Sequence, residues 1–325
     1  AAMILYEEGK FTLSDPLSKY LPEFANMKVG KVTTDGMKKT GYAVPAEHPI
    51  AVRDLFRHTT GLDYQGPLDE KGEPVYRKVE MAGGAPVVSF DLAEATKRLA
   101  SVPLNEEPGT AFRYGYSIDV LGRLVEVLSG TTLDKFFEER IFKPLGMKDT
   151  AFYVYEDKWP RLATLYSPKR EGGVQKAPSS PTAPQESFKH KPNLFLGGAG
   201  LTSTLDDYSH FYQMLLNDGE YDGTRILGRK TVELMRSDHL GNLPHIGGTL
   251  PEWAGFGLTF QIDPGPGKNP SVGSAGTFSW GGAAGTSFWI DPKEHMIGIF
   301  LIQILPPNVQ AADQFKRMAY EALVD

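Results

Sequence analysis

Pro108-Gly-Thr-Ala-Phe-Arg-Tyr-Gly-Tyr-Ser-Ile-Asp-Val-Leu-Gly-Arg-Leu-Val-Glu-Val-Leu-Ser-Gly130 is the stretch around which the chain reads. Pro108-Gly109 signals a turn, and from Ser117 the apolar residues Ile118, Leu121, Val125 and Leu128 recur at helical spacing until Gly130 supplies a left-handed stop. Tyr114 therefore sits in a turn just ahead of a helix. The positive end of the helix dipole favours negative charge there, which makes the phenol a candidate for proton transfer. A tyrosine before a helix is more often a packing residue, so this feature alone does not assign chemistry.

Working outward, residues 51–57 and 91–100 have helical patterns, and residues 28–46 and 63–84 read as polar, irregular stretches. Thr131-Thr-Leu-Asp134 and Thr204 with Asp207 have capping-box chemistry, the first helix ending at Pro144-Leu-Gly146 and the second at Asn217-Asp-Gly219. Between them, residues 167–192 form a long surface excursion. The run Gly197-Gly-Ala-Gly-Leu-Thr-Ser203 lacks the preceding buried strand of a dinucleotide loop, so its glycines are expected to let backbone approach something closely. The last third turns β-rich at residues 256–262, 276–280, 286–290 and 296–302, with Asp291-Pro-Lys-Glu294 as a hairpin turn, before a closing helix capped by Asn308. Helices first, then an antiparallel meander and a last helix, spell an α+β fold.

The composition, 41% hydrophobic and 23% charged over 325 residues, fits one large domain or two interleaved ones. A net charge of -6 without a Lys/Arg run argues against nucleic acid as a partner. There are no cysteines, which excludes thiolate nucleophiles and Cys-ligated metals, and the seven histidines show no zinc-type spacing, so we expect no metal and no cofactor. No apolar run is long enough to span a bilayer as a helix, so no membrane partner is expected.

Taken in order, His58-Thr-Thr-Gly-Leu62, Tyr114-Gly-Tyr-Ser-Ile-Asp-Val-Leu-Gly122, Gly197-Gly-Ala-Gly-Leu-Thr-Ser203 and Trp280-Gly-Gly-Ala-Ala-Gly285 with Phe288-Trp-Ile-Asp-Pro292 resemble the β-lactamase-like serine hydrolases. Within that superfamily the sequence is most similar to family VIII carboxylesterases, which are related to class C β-lactamases and D-alanyl-D-alanine carboxypeptidases. The resemblance implies an antiparallel sheet flanked by helices plus a mostly helical domain. It also implies acyl transfer through a serine in a Ser-x-x-Lys motif, where one helical turn sets the lysine beside the hydroxyl. By this resemblance Tyr114 is the catalytic tyrosine, with Tyr116 and Gly198 at the substrate. Trp280, Gly281, Gly282 and Ala283 form the substrate strand, and the Ala283 N–H is half of an oxyanion hole. Trp280 stands where β-lactamases carry Lys, and Tyr116 where they tend to carry Asn. Both departures favour a small-molecule ester over a β-lactam. Trp280 packing the sheet edge, and His58 fixing its turn, are the plainer readings of those two residues.

No Ser-x-x-Lys occurs in residues 1–325. Val272-Gly-Ser-Ala-Gly276 is no nucleophile elbow, leaving Ser274 a loop residue, and neither Ser117 nor Ser203 has a lysine one turn away. Ala1-Ala-Met-Ile-Leu-Tyr-Glu-Glu-Gly9 reads as the end of a helix without an N-cap, so the expectation is a serine esterase whose nucleophile lies upstream. The alternative is a ligand-binding or interaction protein of the same fold, or a weak β-lactamase or DD-peptidase. The expected layout is residues 1–50 as the remainder of the nucleophile helix and its connection, 51–220 as the helical domain, and 221–325 as sheet strands and the closing helix. A sheet lacking its first strands is expected to expose an edge that a second copy could pair with.

Overall fold

The computed structural model describes residues 1–35, 38–79, 88–178, 184–307 and 309–324. They gather into two compact units, each discontinuous in sequence: Ala1–Glu139 with Pro192–Gly200 and Leu240–Glu252, and Arg140–Lys191 with Leu201–His239 and Trp253–Asp325.

The first unit is built on the helix Ser117–Ser129. Val120, Leu121, Leu124 and Val125 are buried along it, and each such side chain contributes about 2 kcal/mol when fully removed from water. Helices Ala2–Glu7, Val52–Phe56 and Leu92–Ala100 pack against this central helix. Gly130 ends it in the left-handed conformation at φ 73°, as its position in the sequence predicts. Asp91 caps the Leu92–Ala100 helix by accepting from the Glu94 N–H at 2.9 Å.

Three local expectations are corrected. Residues 28–46 are not a loop: Lys28–Asp35 and Lys38–Pro45 pair antiparallel in full register from Lys28↔Pro45 to Asp35↔Lys38. In the first of these strands only Val29 is buried, so the alternation that marks a half-buried strand is missing from the sequence. The Thr131–Asp134 capping box does not form: the helix Leu133–Phe137 has Thr132, one residue later, at its N-cap with no side-chain cap, and the Leu133 N–H donates to Glu126 Oε1 at 3.1 Å. Thr204 does cap the helix Leu205–Leu216, accepting from the Asp207 N–H at 3.2 Å. Asp207 leaves the reciprocal half undone, because its carboxylate accepts from the N–H groups of Lys148 and Asp149 and from the Thr150 hydroxyl. The cap expected at Asn308 lies outside the described residues.

The second unit carries a five-stranded antiparallel meander in the order Met296–Phe300, Ser287–Asp291, Phe278–Gly281, Gln261–Ile262, Gly255–Phe256. The hairpin at residues 291–294 forms as expected, with Asp291 Oδ1 accepting from the N–H groups of Lys293 and Glu294. The Leu205–Leu216 helix lies against the strands Ser287–Asp291 and Met296–Phe300, with Tyr212 stacked on Phe288 at 4.2 Å. The closing helix Val309–Glu321 packs through Phe315 against Trp289 and Phe300.

Candidate active site

Tyr114 occupies the turn between the short strand Phe112–Arg113 and the Ser117–Ser129 helix and is half-buried. The His58-Thr-Thr-Gly-Leu62 turn is laid along it. The Arg113 N–H donates to the His58 carbonyl at 2.8 Å, and the Gly115 N–H to His58 Nδ1 at 3.4 Å. The Thr60 and Ser117 hydroxyls, both fully buried, share a hydrogen bond of 2.8 Å. Farther out, Arg113 Nε donates to both oxygens of Glu106 at 2.8 and 2.7 Å, and Nη1 reaches Asp63 at 3.3 Å.

Aromatic rings complete the surroundings of Tyr114. His58 lies 4.5 Å from its ring and Tyr64 5.7 Å, edge on. Tyr64 also meets Tyr116 at 4.8 Å, edge on. Tyr64 is 45% exposed, and partial desolvation of its phenol among the neighbouring rings shifts its titration upward. Tyr116 is buried at the helix N-cap, packed on Tyr64 and Tyr76, and burial pushes its phenol up to about 12.

The glycines at 197 and 198 approach this same helix. A Cβ on Gly197 would stand 2.1 Å from the Ile118 carbonyl oxygen, so only glycine lets the segment lie there. The Gly198 N–H donates to Asp119 Oδ1 at 3.0 Å. Asp119 is 3% exposed, and burial pushes its carboxyl up to about 6 against the opposing pull of backbone N–H groups at Gly198, Asp119 and Gly197. Asp119 and Tyr64 are neighbours of the Tyr114 turn that sequence reasoning did not single out. Asp119 stands in the first turn of the helix in the quoted stretch, but its partner lies 79 residues on.

In the second unit, Trp280 sits on the strand Phe278–Gly281, opposite Phe288 in register, with its ring edge-on to Phe256 at 5.3 Å. The strand runs into a turn at residues 282–285 closed by the Gly282 N–H on the Thr286 carbonyl at 2.7 Å and the Gly285 N–H on the Gly282 carbonyl at 3.0 Å. A Cβ at position 282 would meet Thr286 Oγ1 at 2.2 Å, so this glycine serves the turn itself. Ala283 is exposed at the tip of the turn, and its N–H has no hydrogen-bond partner among the described residues.

The serines weighed as stand-in nucleophiles are engaged elsewhere: Ser117 with Thr60, Ser203 with Thr150 at 2.7 Å, Ser274 with Glu294 at 3.2 Å. Among the described residues no cluster of His, Asp or Glu is arranged to hold a metal ion, and no helix is long and apolar enough to cross a membrane.

The family model described as Beta-lactamase matches residues 1–323. The chain belongs to the β-lactamase family. An uncharacterized protein of Mycobacterium tuberculosis is 35% identical to this hydrolase-fold chain over 320 residues, covering 96% of it and 76% of the relative. Esterase EstB of Burkholderia gladioli is 29% identical over 305 residues, 90% of this chain and 70% of its own. Among solved structures, EstCE1, described as a hydrolase with promiscuous acyltransferase activity, superposes with a TM-score of 0.76 at 27% identity, covering 98% of this chain and 81% of that one. The β-lactamase-like fold expected from the four motifs is thus shown, and the chain is a hydrolase of that fold.

Proposed function

We propose that this β-lactamase-family protein is a serine carboxylesterase that hydrolyses short-chain esters through an acyl-enzyme, with Tyr114 as its proton-transfer group. The observation that carries the reading is the setting of Tyr114. It is a half-buried phenol just ahead of a helix N-terminus, whose backbone is hydrogen-bonded on both sides and whose ring is flanked by those of His58 and Tyr64. A proton-transfer group needs such a fixed geometry, whereas a packing tyrosine does not. In this reading a serine Oγ bonds to the ester carbonyl carbon and gives up its proton. The alcohol leaves with the proton that Tyr114 relays, and water then releases the acid by the reverse steps.

The exposed Ala283 N–H supports its role as an oxyanion donor, a contribution of about 3 kcal/mol to the transition state when such a donor is aligned. The indole at Trp280 offers an apolar wall in place of a cation, which favours an uncharged ester over an anionic β-lactam. Tyr116, by contrast, is better suited to supporting the tyrosine cluster than to touching substrate, given its burial. The Gly198 N–H is likewise committed to Asp119, leaving its carbonyl as the group for a ligand.

The test is the intact mass of the full-length protein before and after a fluorophosphonate probe, together with hydrolysis of p-nitrophenyl acetate. One added probe with turnover supports the esterase. No label and no turnover would assign the fold to a non-catalytic ligand-binding role.

A further inference from the structure

We propose that His58 is a positioning residue for Tyr114, gripping the backbone on both sides of that tyrosine and packing against its ring. The proposal rests on the catalytic reading of Tyr114 and extends it to a residue whose sequence setting suggested only a turn.

Three observations converge. His58 adopts φ 53°, a left-handed backbone that costs a non-glycine residue energy and that histidine tolerates better than most. This conformation accompanies a side chain only 1% exposed, its ring 5.7 Å from Phe112 and 4.5 Å from Tyr114. The residues flanking Tyr114 both donate to His58: Arg113 through its N–H to the carbonyl at 2.8 Å, Gly115 through its N–H to Nδ1 at 3.4 Å. An N–H pointed at Nδ1 makes that nitrogen the acceptor and places the ring proton on Nε2. Burial alone drives the imidazole down to about 3, so it stays neutral and able to accept throughout the neutral range. A ring used only as filler would need neither a specified tautomer nor the strained backbone.

Two measurements decide the matter. In the native full-length protein, long-range proton–nitrogen NMR of the histidine rings should show His58 neutral with a bare Nδ1 from pH 8 to 5. A proton on Nδ1 at neutral pH overturns the proposal, and this measurement needs no variant. The second is a cycle of His58→Asn, which tolerates the same backbone, with Tyr114→Phe, read as kcat and KM for p-nitrophenyl acetate. His58→Asn should lower kcat about tenfold and leave KM within about twofold, because misorientation acts on the chemical step. In the Tyr114→Phe background it should change nothing further. A loss that multiplies undiminished in that background, or an unchanged kcat in His58→Asn, sinks the positioning role. Full activity of Tyr114→Phe removes the catalytic reading of Tyr114 itself, an outcome distinguishable from the other two.

Discussion

The turn that carries Tyr114 and the turn that carries Ala283 are held in different ways. The first is fixed by side chains from distant sequence: His58, Thr60, Asp63 and Tyr64 all reach it or its flanks. The second is held by backbone alone: bonds within residues 282–286 close it, and the Ile304 N–H donates to the Ala284 carbonyl at 2.9 Å. A phenol that moves protons has a flexible side chain to be restrained, so the fold surrounds it. A backbone N–H is already aimed by its peptide plane, so backbone bonds to the turn are enough.

Removing the restrained group should have the largest effect. Tyr114→Phe is expected to lower kcat by about 10²–10⁴-fold with the unfolding midpoint nearly unchanged, as steady-state kinetics and a thermal melt will show. An equal loss of stability would mean that the turn, and not the hydroxyl, was removed. The Ala283 turn should break at Gly282: Gly282→Ala sets a methyl against Thr286 Oγ1 and is expected to cost on the order of 10²-fold in kcat, the value of a misplaced oxyanion donor. Thr286→Ala in the same chain should recover much of this, since the next nearest atom, the Thr286 Cβ, lies at 3.6 Å. No recovery would argue that residue 282 itself contacts substrate.

The surroundings of Tyr114 also contain two buried ionisable groups of opposite pH sense, which the Ala283 turn lacks. His58 is held near 3 in the fold against about 6.5 unfolded, so the unfolded chain takes up the proton first and stability is lost as pH falls from about 6.5 toward 3. Asp119 is held near 6 against about 3.9 unfolded, so the folded chain takes up the proton first and stability rises as pH falls from about 6 toward 4. Each slope is up to about 1.4 kcal/mol per pH unit, and the two oppose each other between about pH 6 and 4. Asp119→Asn, whose amide oxygen can still accept from Gly198, should therefore make the protein more acid-sensitive in that window, read from urea midpoints at several pH values. An unchanged pH profile would show that Asp119 titrates as an ordinary carboxyl. The smallest effect is expected of Ser117→Ala, which loses the buried hydroxyl pair with Thr60 at a cost of about 1 kcal/mol and leaves fluorophosphonate labelling intact. Loss of labelling would make Ser117 the nucleophile.

Elements with a local cause were legible in the sequence. Gly130 stops its helix, Thr204 caps its own, and Asp291 closes its hairpin, each through bonds within a few residues. The Lys28–Pro45 hairpin was not legible, because a strand exposed on nearly all its residues shows no apolar period. The Thr131 box failed because the helix starts one residue later, at Thr132, and its first N–H is taken by Glu126 from the preceding helix.

The site divides along the same line. The order of four short motifs identified the β-lactamase-like fold and drew attention to Tyr114 and to the Trp280–Ala283 strand, since motif residues and their order are written in the chain. What the glycines at 197 and 198 approach, why Asp119 is buried, and that His58 and Tyr64 close around Tyr114 came only from the tertiary structure. Those contacts join residues 50 to 79 positions apart, and a fold chooses such partners by shape and burial, of which a single sequence carries no local trace.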